Sequence, residues 1–136
     1  MINKRFLYNL EYKITGACIE VHKLLGPGLL ESVYHKCLMR ELQLQNIKYS
    51  AEERITISYK DILLDSELRA NLFIENCIVL ELKSVERILP IHEAQILTYI
   101  KLLNVPKGLL INFNCTNIVQ NGKRAFVNEL IYNLNP

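Results

Sequence analysis

Near Lys48 the spacing of apolar residues changes from a helical period to a strand period, and it changes back near Pro90. Those two switches fix the order of elements. Before the first, "YKITGACIEVHKLLGPG" carries Ile14, Cys18, Val21 and Leu25 at helical spacing, and Gly26-Pro27 is a strong stop. A second helix is expected over "LLESVYHKCLMRELQLQN", with an apolar stripe of Leu30, Val33, Cys37, Leu38, Leu42 and Leu44 and an end near Asn46. From Lys48 the chain is rich in Ile, Leu, Val, Tyr and Thr with short polar breaks at "YKD" and "EN". This predicts three antiparallel strands, about Tyr49 to Ser58, Ile62 to Ile74 and Cys77 to Val85, the last two joined by a tight turn at Glu75-Asn76.

"PIHEAQILTYIKLLN" restores the helical period, with Pro90 in its first turn and a stripe of Ala94, Ile96, Leu97, Ile100 and Leu103. "KGLLINFN" is an apolar run of strand length that follows a helix. A strand–helix–strand unit places it parallel to "VLELKS". "NGKRAFVNELIYN" closes the chain as a turn with a short strand or helix. The expected fold class is α/β: one domain over residues 1–136, a mixed central sheet flanked by helices, in the order ααβββαβ(β).

Half of the 136 residues are hydrophobic, which supports a buried core and argues against disorder. A net charge of +2 gives no compositional reason to expect nucleic-acid binding, though it permits a local basic cleft. No apolar run approaches the ~20 residues that span a bilayer, so no membrane partner is expected. The N-terminal stretch lacks the apolar centre of a signal peptide, so the expected location is cytoplasmic. The four cysteines, Cys18, Cys37, Cys77 and Cys115, lie far apart. They read as reduced, buried, small apolar residues, since a zinc site needs ligand pairs that this spacing does not offer.

One stretch does not fit a plain core strand. In "VLELKS", Leu80 and Leu82 point to one face, while Glu81 and Lys83 point together to the other. Ile78, Val79 and Val85 around them mark a strand deep in a sheet, where charged groups are rare unless paired or bound to metal. A hairpin turning at Glu75-Asn76 brings position 71 level with positions 80 and 81. Carboxylates there could hold a divalent cation, and the lysine could polarise a phosphate or an attacking water. The plainer alternatives are a solvated strand face and a structural ion pair.

"GLLESVY", with Gly28, Glu31 and Tyr34, has the G-x-x-E-x-x-Y form. Together with "GACIEVHKLLGPG", "LELKSV" and "AQILTYIKLL", it makes nearly the whole chain resemble the small GxxExxY proteins, within the PD-(D/E)XK nuclease superfamily. The resemblance implies a PD-(D/E)XK-like fold and hydrolysis of nucleic-acid phosphodiesters, DNA or RNA, dependent on Mg²⁺ or Mn²⁺. It implies that Glu31 is an auxiliary acidic ligand or orients the attacking water. Glu81 would be a metal ligand beside the backbone carbonyl of Leu82, and Lys83 would stabilise the phosphate or position the attacking water. Gln95 and Tyr99 would support the site from one helix face, with Tyr34 and His22 in supporting places.

The main bridging aspartate of that pattern is Asn71 here, in "RANLF". An amide oxygen can still coordinate Mg²⁺, so Asn71 stays among the implied metal ligands, but it brings no charge, and hard cations depend on carboxylate charge. The resemblance therefore implies either a weakened Mg²⁺-dependent nuclease or an inactive nuclease-fold protein that binds nucleic acid or protein. A third alternative keeps only the fold, in a regulatory or small-molecule-binding role. Residue by residue, plainer roles stand beside these. Glu31 suits the first turn of a helix, Tyr34 reads as core, and Gln95 and Tyr99 as core hydrogen bonding. His22 reads as a helix-end cation, and His35 and His92 as surface residues. Lys36, Arg40, Lys101, Lys107, Lys123 and Arg124 read as solubilising charges unless several gather at a cleft.

Overall fold

The computed structural model describes residues 2–136. Two helices, α1 (Lys4–Leu25) and α2 (Glu31–Leu44), precede β1 (Tyr49–Tyr59), β2 (Ile62–Ile74) and β3 (Ile78–Lys83). Then come α3 (Pro90–Leu102), β4 (Lys107–Asn112) and β5 (Lys123–Val127). A π-helical turn at Ile118–Gly122 precedes β5, and a 3₁₀ turn at Glu129–Asn133 follows it. The sheet runs β1-β2-β3-β4-β5, with β3 in the centre. Among the described residues only the β3–β4 pair is parallel, with Glu81 level with Leu110 and Lys83 level with Asn112. The order and the mixed sheet are those expected from the two switches of period.

Each face of the sheet carries its own core. Leu72, Ile74, Ile78, Leu80, Leu82, Leu109 and Ile111 pack under α1 and α2. Val79, Ala70 and Leu110 pack with Ile96, Tyr99 and Ile100 of α3. Glu81 and Lys83 share the parity of Val79, so they belong to the α3 side. One break in alternation matters. Ala70 joins the α3 layer while Leu72 joins the α1/α2 layer, although residues two apart on a regular strand share a face. Strand β2 therefore turns over at Asn71.

Several local expectations give way to packing. Helix α1 begins at Lys4, where the Asn3 side chain accepts from the Phe6 N–H (2.7 Å), and Leu7 and Leu10 extend the stripe backwards. In α2 the buried line is Tyr34, Leu38 and Leu42, while Leu30, Val33 and Leu44 are exposed. The Tyr34 ring displaces the expected stripe because it stacks flat on Phe113, centroids 4.4 Å apart. In α3, Ile96, Tyr99 and Ile100 are buried and Leu97 is not. The β2–β3 turn is longer than two residues. Ile74 pairs with Ile78, Glu75 and Asn76 are left-handed, and the Cys77 N–H closes on the Ile74 carbonyl at 3.0 Å. Cys18 and Cys77 are buried, Cys37 and Cys115 only partly so, and all four are free.

Helix α3 sits so close to β4 that only glycine fits at position 108. A Cβ there would lie 2.9 Å from Ile100 Cγ2 and 3.0 Å from Ile96. Overpacking of this kind typically costs ~1–3 kcal/mol. Gly108→Ala is expected to lower stability by about that amount and to move α3, with Gln95 and Tyr99 on it. Urea denaturation of the two proteins measures the difference.

Candidate active site

The β2–β3 ladder stops at Leu72–Leu80. Beyond it the two strands part, and side chains take over the backbone's hydrogen bonds. The Asn71 N–H donates to Glu81 Oε2 at 2.6 Å. In return, the Leu82 N–H donates to Asn71 Oδ1 at 2.9 Å. Each side chain thus satisfies a backbone donor of the opposite strand that would otherwise be left without a partner. The Phe113 N–H donates to the Lys83 carbonyl (2.9 Å) on the β4 side. Successive carbonyls of a strand alternate sides, so the Leu82 carbonyl turns the other way, into this fork. The far end of β3 is held by Asn112, whose Nδ2 donates to the Val85 carbonyl and whose Oδ1 accepts the Val85 N–H.

Around the fork the structure places several of the residues singled out from sequence. Glu81 is 3% exposed. Burial pushes its carboxyl up to about 7. The Asn71 N–H and the Lys83 ammonium pull it down, while Glu31 and Glu52 push it further up. Lys83 is half-buried and forms no ion pair among the described residues, with Glu81 or with any other carboxylate. The structural ion pair is therefore not what the strand holds. Gln95 Nε2 donates to the Tyr99 hydroxyl at 3.0 Å. Tyr99 is buried, and burial and the nearby Glu81 both raise its pKa, so its hydroxyl keeps its proton.

The G-x-x-E-x-x-Y stretch has a clear local logic. Gly28 stands at φ 97°, a conformation that favours glycine. The Tyr34 hydroxyl donates to the Gly26 carbonyl and accepts the Leu29 N–H (3.2 Å). Tyr34 thereby pins the loop that delivers Glu31 to the first turn of α2, where the helix dipole favours an acid. His22 lies elsewhere. Its Nε2 meets the Cys115 carbonyl at 2.9 Å. From the last turn of α1 it thus ties that helix to the segment after β4, and among the described residues it forms no hydrogen bond with a residue of the fork. Lys107 and Lys123 both pair with Glu11, and Arg124 pairs with Glu93, so these cations are engaged.

Two residues near the fork escaped the reading of the sequence. His35 is a partly buried residue of α2 and not a surface one. Its Nε2 is 3.1 Å from the Asn71 carbonyl and 3.5 Å from Glu52 Oε1. Glu52 stands opposite Asn71, between the pairs Ala51–Leu72 and Glu53–Ala70. An unbroken hairpin set by the Tyr59–Ile62 pair would have put Ser50 there. The register shift between Arg54 and Thr56 brings Glu52 instead.

Among the described residues, no three His, Cys, Asp or Glu side chains gather as a metal cluster. The donors that meet at the fork are a Glu81 carboxylate oxygen and the Leu82 carbonyl, with Glu31 close enough to act on Glu81. These hard oxygens fit Mg²⁺ or Mn²⁺ in kind, with water completing most of the shell, as Mg²⁺ tolerates. The folded Glu81 carboxyl titrates above its ordinary 4.5. Its contribution to stability is full below about pH 4.5 and is lost as pH rises through about 7. The metal-free protein is expected to lose on the order of 2–3 kcal/mol across that window. Glu81→Gln should flatten that slope. Denaturant titrations at about pH 5 and 8 measure both, and an unchanged slope in Glu81→Gln would exclude Glu81 as its source.

No helix among the described residues is long and apolar enough to cross a membrane. No curated protein and no solved structure matches the chain. A family match does exist, to the PD-(D/E)XK nuclease superfamily over residues 8–125, which takes in most of α1, all of α2, the fork, α3 and the first residues of β5. With a mixed five-stranded sheet whose central strand carries Glu81 and Lys83, the chain belongs to the PD-(D/E)XK nuclease superfamily.

Proposed function

We propose that this protein is a single-domain, cytoplasmic phosphodiesterase that cleaves nucleic acid with the help of Mg²⁺ or Mn²⁺, slowly at neutral pH. The observation that carries the reading is Lys83: an ammonium without an ion-pair partner among the described residues, on the same strand face as buried Glu81, beside a fork into which the Leu82 carbonyl turns. A bound divalent cation would supply charge stabilisation for the phosphate. Glu81 and the Leu82 carbonyl would hold it, and Glu31 would add charge from α2. Lys83 would stabilise the charge that develops on the phosphate oxygens. The G-x-x-E-x-x-Y stretch supports a place among the GxxExxY proteins.

Asn71 favours a second reading, a nuclease-fold protein that binds nucleic acid without cutting it. Its amide brings no charge, its Oδ1 is already bonded to the Leu82 N–H, and Glu81 favours its neutral form below about pH 7. Metal-titrated cleavage of mixed DNA and RNA substrates separates the two readings. Lys83→Ala should lose at least about a hundredfold in rate while melting like the parent, because no ion-pair partner is stranded. Asn71→Asp should bind the cation more tightly, cleave faster, and be less stable without metal, since like charges then crowd the fork. Parental cleavage by a well-folded Lys83→Ala protein would sink the first reading. Salt-dependent binding with no cleavage even in Asn71→Asp would establish the second.

A further inference from the structure

We infer that Glu52 is the third acidic residue of the fork, supplying from β1 the charge that Asn71 does not bring, with His35 as the residue that positions it. This rests on the reading of the fork as a cation-holding site. Three observations carry it. The register sets Glu52 opposite Asn71, on the strand next to the place where the missing carboxylate would stand. Glu52 also adopts φ 54° within a strand, a left-handed conformation that non-glycine residues avoid and that tends to gather at functional sites. And the Glu52 carboxylate meets His35 Nε2, the same nitrogen that reaches the Asn71 carbonyl. His35, with its side chain 14% exposed, thus anchors β1 and β2 to the helix that carries Glu31.

The fork also contains an acid with spare capacity. Glu81 uses Oε2 for the Asn71 N–H, and no donor among the described residues reaches Oε1. Glu52 stands on β1, the strand neighbouring β2, opposite Asn71. Its own side chain is 55% exposed, so the carboxylate is not spent in a dry internal pair. It faces solvent, from which a hydrated cation would come. As a charge acting through water, Glu52 needs no direct bond to the ion, in keeping with the absence of a preformed cluster of three acids among the described residues.

Calorimetric titration of Mn²⁺ into the purified protein and four variants tests this. Glu52→Gln, an isosteric change at an exposed side chain, should weaken binding by about tenfold or more, as loss of outer-shell partners does. Adding Asn71→Asp to Glu52→Gln should restore the affinity. Glu52→Gly should weaken binding similarly yet melt higher than the parent, because glycine relieves the left-handed conformation. A purely structural residue would instead lose stability and affinity together, and that outcome would overturn the assignment. Parental affinity in Glu52→Gln, with affinity lost in Glu81→Gln, would overturn the role of Glu52 and leave the fork intact. If the parent binds no Mn²⁺, or if Glu81→Gln binds it like the parent, both this inference and the reading of the fork fall.

Discussion

The exchange between Asn71 and Glu81 is the interaction on which the rest of the site depends. Two strands that part in the middle of a sheet expose backbone donors to a low-dielectric interior, and such donors are costly to leave unpaired. Here the Asn71 amide oxygen and the Glu81 carboxylate each take one. The fork can therefore stay open without leaving those donors unpaired. That geometry turns the Leu82 carbonyl inward and holds a carboxylate where burial alone would tend to expel it. Asn71 is thus a structural keystone whatever its role toward a cation. The amide keeps the acceptor that an aspartate would offer and gives up only the charge.

The motif that marks the chain most visibly acts at one remove. Glycine at 28 permits a left-handed turn, and Tyr34 clamps the loop between that turn and α2 through two backbone groups. Tyr34 is also the stacking partner of Phe113, the residue whose N–H holds the Lys83 carbonyl. One ring therefore couples the approach to Glu31 with the end of the strand that bears Glu81 and Lys83. The spacing of the motif follows. The glycine bends the chain, the acid opens the helix, and the tyrosine lies one turn later, where it can reach back.

Much of this was legible from residue spacing because the relevant contacts are local or periodic. The order of elements, the parallel β3–β4 pair and the shared face of Glu81 and Lys83 all follow from alternation and from the length of the α3 connection. Glu52 was not legible, because its place depends on a register shift of β1 against β2. There Ser66 bonds back to the Ile55 carbonyl, and hydrophobic pattern does not reveal such irregularities. His35 was missed for a related reason. The expected α2 stripe ran through Val33. The observed one runs through Tyr34, and that small rotation of the helix carries His35 from the surface to the fork. In both cases tertiary packing set the angle or the register, and side-chain type did not.

The two kinds of strand pairing have a consequence for how the site comes together in time. The fork lies in a hairpin whose loop is only Glu75 to Cys77, and closing so short a loop is fast and entropically light. β4 reaches β3 only after the chain has passed through α3, so that pairing has greater sequence separation and forms more slowly. The donors of Asn71, Glu81 and Leu82 can thus be assembled as a local unit before the second face of the sheet is covered. Tyr99 and the Ile96–Ile100 layer then close over a constellation that already exists. A newly made chain would hold its acidic fork already assembled, and in contact with water on both faces, until α3 docks; the side where Glu52 faces solvent stays open to ions afterwards.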